Sequence, residues 1–210
     1  PSIANVTLSP QPVRTGTPIG CAYDGYTDVD GDPNASKLNW TIDGKAAGDG
    51  SATLKNGFVG GQKVACTITP FDGKEDGASK TVSLVVQNTP PSISVVSLSP
   101  DPIRVGTELK CTWKDYKDAD GDPDKSVVAW TVNGKALTDT GPTLSSGFVG
   151  GDEVACQVTP HDGEHPGSAM SDKIEITNTV PSVANAIISP EVIRTGDTIS
   201  CAYQGYADAD

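Results

Sequence analysis

An all-β chain of tandem sandwich domains is the fold that the sequence predicts, on three observations. The first is a repeat of 90 residues. Pro1-Ser2-Ile3 returns at Pro91-Ser92-Ile93 and again as Pro181-Ser182-Val183, and Cys21, Cys111 and Cys201 keep the same step. Residues 1–90 align with 91–180 without a gap, and 42 of 90 positions are identical. The second is composition: 23 Gly, 16 Pro and only 5% aromatics favour strands and turns over a helical bundle. The third is alternation at period two in short segments bounded by turn residues. Together they predict one domain over 1–90, a second over 91–180, and the N-terminal part of a third, incomplete one over 181–210.

Each copy reads as a series of short strands. An opening strand is predicted near Ile3 to Leu8. In 17–24 the inward set is Ile19, Cys21 and Tyr23; in 38–42 it is Leu38, Trp40 and Ile42. A short strand follows at Thr53-Leu54. Gly57-Phe58-Val59-Gly60-Gly61, repeated at 147–151, is expected to turn the chain while its Phe plugs the core. In 63–69 the inward set is Val64, Cys66 and Ile68, and a closing strand near Val82 to Val86 brings the count towards seven. Val82 becomes Asp172 in the second copy, where the start of that strand is expected to be frayed or edge-exposed. Arg14, Arg104 and Arg194 recur before the second strand and are expected to satisfy backbone carbonyls or a neighbouring carboxylate.

The copies are joined by Asn88-Thr89-Pro90-Pro91 and Asn178-Thr179-Val180-Pro181. Linkers this short, with φ fixed at proline, predict limited hinge motion and an extended rod.

The order Cys21, Trp40, Cys66 matches that of an immunoglobulin sandwich, in which a disulfide bridges the sheets and a tryptophan packs on it. With the enlarged loop Thr27-Asp28-Val29-Asp30-Gly31-Asp32-Pro33, the run from Val64 to Gly73 and the Asn-Thr-Pro-Pro linker, the chain resembles the bacterial immunoglobulin-like, PKD-like and cadherin-like tandem repeats of long surface adhesins and extracellular fibres. The resemblance covers all 210 residues. All five cysteines are spaced by 45, so pairing within copies (Cys21 with Cys66, Cys111 with Cys156) competes with pairing across linkers (Cys66 with Cys111, Cys156 with Cys201). Pairing within copies is preferred, because each pair then occupies inward positions of two central strands and brackets its Trp. Cys201 is left without a partner in these 210 residues. Disulfides in every copy imply an extracellular or cell-surface location in an oxidising compartment.

The net charge of −12 excludes the electrostatic footprint of a nucleic-acid binder. No run of 18 apolar residues predicts a membrane span and no leader opens the chain, so an export signal is expected to lie outside these residues. His161 and His165 occur only in the second copy, no nucleophile, base and orienter recur together, and an enzyme is not expected. One constellation goes beyond scaffolding: Asp28-x-Asp30-Gly31-Asp32, repeated as Asp118-x-Asp120-Gly121-Asp122 and begun again at Asp208 and Asp210. Calcium takes six to eight oxygen ligands, and such a turn can supply several. In an immunoglobulin topology this loop and the one carrying Asp72 or Asp162 share an end of the domain. The candidate calcium ligands are therefore Asp28, Asp30, Asp32 and Asp72 in the first copy, and Asp118, Asp120, Asp122 and Asp162 in the second, the latter beside Asn88 and Thr89. The competing reading is a solvated acidic turn.

The function expected is a shaft or spacer segment of a long exported repeat protein (an adhesin, an appendage or an extracellular fibre) that projects a binding or anchoring region located elsewhere. Its partners are neighbouring repeats of the same chain, with lateral self-assembly through edge strands as a further option. The alternative is that each repeat binds a glycan or protein through its end loops, with Tyr26 and Tyr116 as the contact residues.

Overall fold

Strands begin wherever the turn chemistry releases the chain, and in the computed structural model, which describes residues 1–210, all the regular elements are strands. The first copy contains β1 (Asn5–Ser9), β2 (Ile19–Asp24), β3 (Lys37–Ile42), β4 (Lys45–Ala47), β5 (Thr53–Leu54), β6 (Lys63–Thr69) and β7 (Lys80–Val85). They form two sheets, β1-β2-β5 and β4-β3-β6-β7, with antiparallel ladders throughout. The second copy repeats the plan with β8 (Val95–Ser99), β9 (Ile103–Arg104), β10 (Leu109–Lys114), β11 (Val127–Val132), β12 (Lys135–Ala136), β13 (Thr143–Leu144), β14 (Glu153–Thr159) and β15 (Met170–Thr177). Its sheets are β13-β10-β8 and β12-β11-β14-β15-β9. In the third copy β16 (Asn185–Ser189) pairs with β17 (Ser200–Gln204), the same ladder as β1 with β2.

The fourth strand was not anticipated, and its cause is local. Ile42 pairs with Lys45, so Asp43-Gly44 is a two-residue loop with φ of 50° and 79°. That is the type I′ geometry whose twist matches a hairpin. Asn133-Gly134 repeats it with φ of 50° and 76°. Asp43 Oδ1 then accepts the Lys63 amide at 2.9 Å, tying the turn to β6. The tight turn returns β4 beside β3, whereas in antibody constant domains the fourth strand joins the other sheet.

The opening segment is also divided. After β1 the run Ser9-Pro10-Gln11-Pro12 interrupts the ladder, since proline has no amide to give it. The chain resumes on the opposite sheet, where Arg14 bridges Gln87 in parallel, as Ile103 does with Ile176 in the second copy. Val13 and Ile103 are each buried to 1% exposure by this crossing.

The first core gathers Ile19, Cys21, Trp40, Leu54, Phe58, Val64, Cys66, Ile68 and Val86; Tyr23, Leu38 and Ile42 pack at its margin. The second core gathers the corresponding residues around Trp130. Phe58 and Phe148 are buried as the sequence predicts. Of the two expectations for the start of this strand, fraying is corrected, since Asp172 sits in the ladder opposite Cys156 and its carboxylate accepts the Leu98 amide of β8 at 2.9 Å; the exposed edge is present, since Met170 and Ser171 are exposed and β9 pairs only with Ile176 and Thr177. A hydrogen bond across the sandwich edge replaces the apolar contact that Val82 supplies.

By contacts the chain divides into two units that do not follow the repeat boundaries. One comprises Pro1–Ser92 with Tyr116–Lys125 and Pro160–Gly167; the other comprises Ile93–Asp115, Ser126–Thr159 and Ser168–Asp210. The acidic loop and the Asp162 loop of the second copy thus belong to the first unit.

Candidate functional site

The Asp-x-Asp-Gly-Asp loop is shaped by its first aspartate. Asp28 Oδ1 accepts the amides of Asp30 at 3.0 Å and Asp32 at 3.1 Å, and Asp118 Oδ1 accepts those of Asp120 at 2.8 Å and Asp122 at 3.2 Å. These are Asx-type turns. Gly31 and Gly121 follow at φ of 78° and 86°, the left-handed region that a side chain resists. The fold brings together one oxygen from each of Asp28, Asp30 and Asp32, and likewise of Asp118, Asp120 and Asp122, all within 4.8 Å of one another.

Asp72 and Asp162 stand outside those triplets, each held by the amides of its own turn. Asp72 Oδ1 accepts from Lys74 and Glu75, each at 2.7 Å, and Asp162 Oδ1 accepts from Glu164 and His165, each at 2.6 Å. Asp162 is 3% exposed, and its Oδ2 accepts the Asn88 side-chain amide at 2.7 Å. His165 Nδ1 lies 3.1 Å from the same Asn88 nitrogen, while His161 Nδ1 accepts the Gly163 amide. The copies differ in charge beside this loop: Lys74 pairs with Asp32 at 2.7 Å, and its counterpart is Glu164.

Asp120 is held by donors that sequence reasoning did not find. Its Oδ1 accepts the Thr15 hydroxyl and, at 2.7 Å, the Gly60 amide; its Oδ2 accepts the Thr89 amide at 2.6 Å. The linker is fixed from another side, since the Arg14 guanidinium donates to the Asn88 carbonyl and Arg104 donates to that of Asn178 at 3.0 Å. For Arg14 and Arg104 the expected role toward backbone carbonyls is what the structure shows. The signal for the rest was present: Arg-Thr-Gly, Gly-Phe-Val-Gly-Gly and Asn-Thr all recur with the repeat, but nothing in one dimension says that they meet.

Tyr26 and Tyr116 use their hydroxyls inside the loop. Tyr26 reaches the Pro33 carbonyl at 3.5 Å, and Tyr116 reaches those of Pro123 and His161 at 3.4 Å each. The cysteines pair as Cys21–Cys66 and Cys111–Cys156, with Cα separations of 6.5 and 6.2 Å, and Cys201 is free. Two disulfides inside the sandwiches belong to an oxidising environment, and no helix is long and apolar enough to cross a membrane.

Burial raises the pKa of Asp162, but the Asn88 side chain and the His165 and Glu164 amides outweigh it and bring it to about 2, from an ordinary 3.8. A folded-state pKa below the unfolded one stabilises the fold above pH 3.8, and that contribution disappears as pH falls towards 2. Melting of the chain between pH 5 and 2 is therefore expected to show a steeper loss of stability for wild type than for Asp162→Asn, which should be weaker at neutral pH. Parallel pH profiles would refute it.

No family model matches the chain, and no curated protein matches it. Among solved structures it is similar to a segment of two fibronectin type-III domains from chicken tenascin, at 13% identity and a TM-score of 0.47, over 82% of this chain and 98% of that one. It is also similar to the FN1-FN3 domains of chicken CNTN1, at 12% identity and a TM-score of 0.37, over 96% of this chain and 75% of that one. The strand pairings and the bridged, tryptophan-centred cores themselves define tandem sandwiches of the immunoglobulin-like type.

Proposed function

We propose that the chain is a shaft or spacer segment of a long exported repeat protein, an adhesin, appendage or extracellular fibre whose binding or anchoring region lies elsewhere. The observation that carries this reading is the treatment of the linker. Within the first unit the Asn88 carbonyl is taken by Arg14, the Asn88 side chain by Asp162 and the Thr89 amide by Asp120, and Pro90 and Pro91 follow with no amide to donate. A segment committed on every side restrains the chain instead of presenting a ligand surface, and spacing is the work such restraint serves. Small-angle scattering of arrays with increasing copy number is expected to show a maximum dimension growing by roughly 35 to 40 Å per copy, from strands rising about 3.3 Å per residue plus loops at both ends. A dimension that stays nearly constant as copies are added would end the spacer reading.

A second reading concerns calcium at the acidic loop of the second copy. Asp118 Oδ2 is buried without a hydrogen-bond partner, in the triplet that Asp118 forms with the carboxylates of Asp120 and Asp122. A buried oxygen left without a donor, next to clustered carboxylates, suits a hard cation. Glu164 in place of Lys74 leaves that demand greater in the second copy than in the first. Asp118 and Asp122 would supply its carboxylate ligands, while Asp120 keeps its three protein donors. Calorimetric titration is expected to detect binding at millimolar calcium or below, with a raised melting temperature by mass action. Asp118→Asn and Asp122→Asn should remove both effects. Wild type without calcium heat or stabilisation would leave a solvated acidic turn.

A further inference from the structure

The donors around Asp120 form a carboxylate socket from three separate segments: the Arg14-Thr15-Gly16 turn, the Phe58-Val59-Gly60 turn and the Asn88-Thr89 linker. Gly60 does not serve a left-handed turn, for its φ is not positive. A Cβ there would lie 2.9 Å from the Asp120 carboxylate carbon and 3.0 Å from Asn88 Cα, so the glycine makes room for the approaching carboxylate. The second unit repeats the close approach, with the linker amide as donor. The Thr179 amide donates to Asp210 Oδ2, and a Cβ at Gly150 would lie 2.5 Å from the Asp210 carboxylate carbon. Glycine, Asn-Thr and the middle aspartate recur at steps of 90, but the hydroxyl does not: the residue after the arginine is Thr15, then Val105, then Thr195.

We infer that the end of each repeat is a binding site for the middle aspartate of the following repeat's Asp-x-Asp-Gly-Asp loop, graded in strength by the residue after the arginine. Thr15 makes the first socket a three-donor site, and Val105 leaves the second without the hydroxyl. Asp30 is exposed and offers the same carboxylate, and its fitting partner is another repeat end carrying the Arg-Thr-Gly turn, the glycine pair and Asn-Thr. Two features select aspartate over its relatives. Asparagine would turn an NH2 towards donors, and glutamate would need the space that the Gly60 backbone fills. This inference rests on the spacer reading, for which it supplies the joint.

The test is amide hydrogen exchange on the whole 210-residue chain, comparing wild type, Thr15→Val, Asp120→Asn, their double variant and Val105→Thr. Hydrogen bonds to an ionised group are stronger than those to a neutral one, so Asp120→Asn is expected to speed exchange of the Gly60 and Thr89 amides on the order of tenfold or more. Thr15→Val should act on the same two amides, and its effect should largely vanish in the Asp120→Asn background, since a hydroxyl with no carboxylate to bind has nothing to lose. Val105→Thr should slow exchange at Thr179. Amides of β3 and β6 should match wild type in every variant. Unchanged Gly60 and Thr89 exchange in Asp120→Asn, additive effects in the double variant, or no response at Thr179 to Val105→Thr would each overturn the socket. The scattering experiment fails separately: its increment per copy can hold with no socket, and protected Gly60 and Thr89 amides can coexist with a compact array.

Discussion

Replacing Cys111 and Cys156 together by alanine is expected to lower the stability of the second sandwich by about 4 kcal/mol, the chain-entropy value for a 45-residue loop. Against a total of about 5–15 kcal/mol for an ordinary domain this is a large share. Here the share is greater still, because a repeat of 90 residues with few aromatics has little apolar surface to bury. Cys66 and Cys156 are wholly buried, so a reductant must wait for the sandwich to open. Denaturant midpoints of the second sandwich, measured for the reduced chain and for the double alanine variant, should agree with one another and lie well below that of the oxidised chain. An unshifted midpoint would mean that the bridges add nothing to packing that is already sufficient.

Trp130→Ala is expected to cost about 3–5 kcal/mol, the range for emptying a buried aromatic site. Trp130 is 0% exposed, lies opposite Cys156 in the β11–β14 ladder, and donates its indole N–H to the Gly141 carbonyl at 2.8 Å. Trp40 does the same with the Ser51 carbonyl at 2.9 Å. The ring therefore fills the core between the sheets and fastens the loop before β13. Trp130→Phe separates the two contributions: it keeps most of the apolar volume and leaves the Gly141 carbonyl without its donor, a loss of about 1–3 kcal/mol. Because the ring and the disulfide are neighbours, the combined variant should lose less than the sum of the two. Circular dichroism during denaturation reads all three. A loss below about 1 kcal/mol for Trp130→Ala would show that the core collapses into the space and that the tryptophan is replaceable.

The strands that were legible were those in which burial follows a period of two. Ile19 and Cys21, or Val64, Cys66 and Ile68, alternate because one face of a strand meets the core and the other meets water. β4 escaped this reading: three residues cannot show a period, and Lys45, Ala46 and Ala47 carry almost no apolar signal. Its evidence was the Asp43-Gly44 dipeptide, a hairpin turn in its own right. The fraying expected at Asp172 is absent for a related reason. A carboxylate in place of valine reads as a break in the strand until the unpaired edge amide of Leu98 is found opposite it.

By itself the sequence determined the repeat, the sandwich class, the strands of the core and the acidic loops, because these depend on local turn chemistry and on alternation along the chain. Tertiary structure decided what the aspartates do. Asp118 folds its own loop, Asp120 reaches Thr15, Gly60 and Thr89, and Asp162 is buried against Asn88. Those partners are separated from them by 31 to 105 residues, apart from the turn amides next to Asp118. A carboxylate's role depends on which donors surround it, and donors that distant are assembled only when the loops of one copy and the end of another occupy the same compact unit.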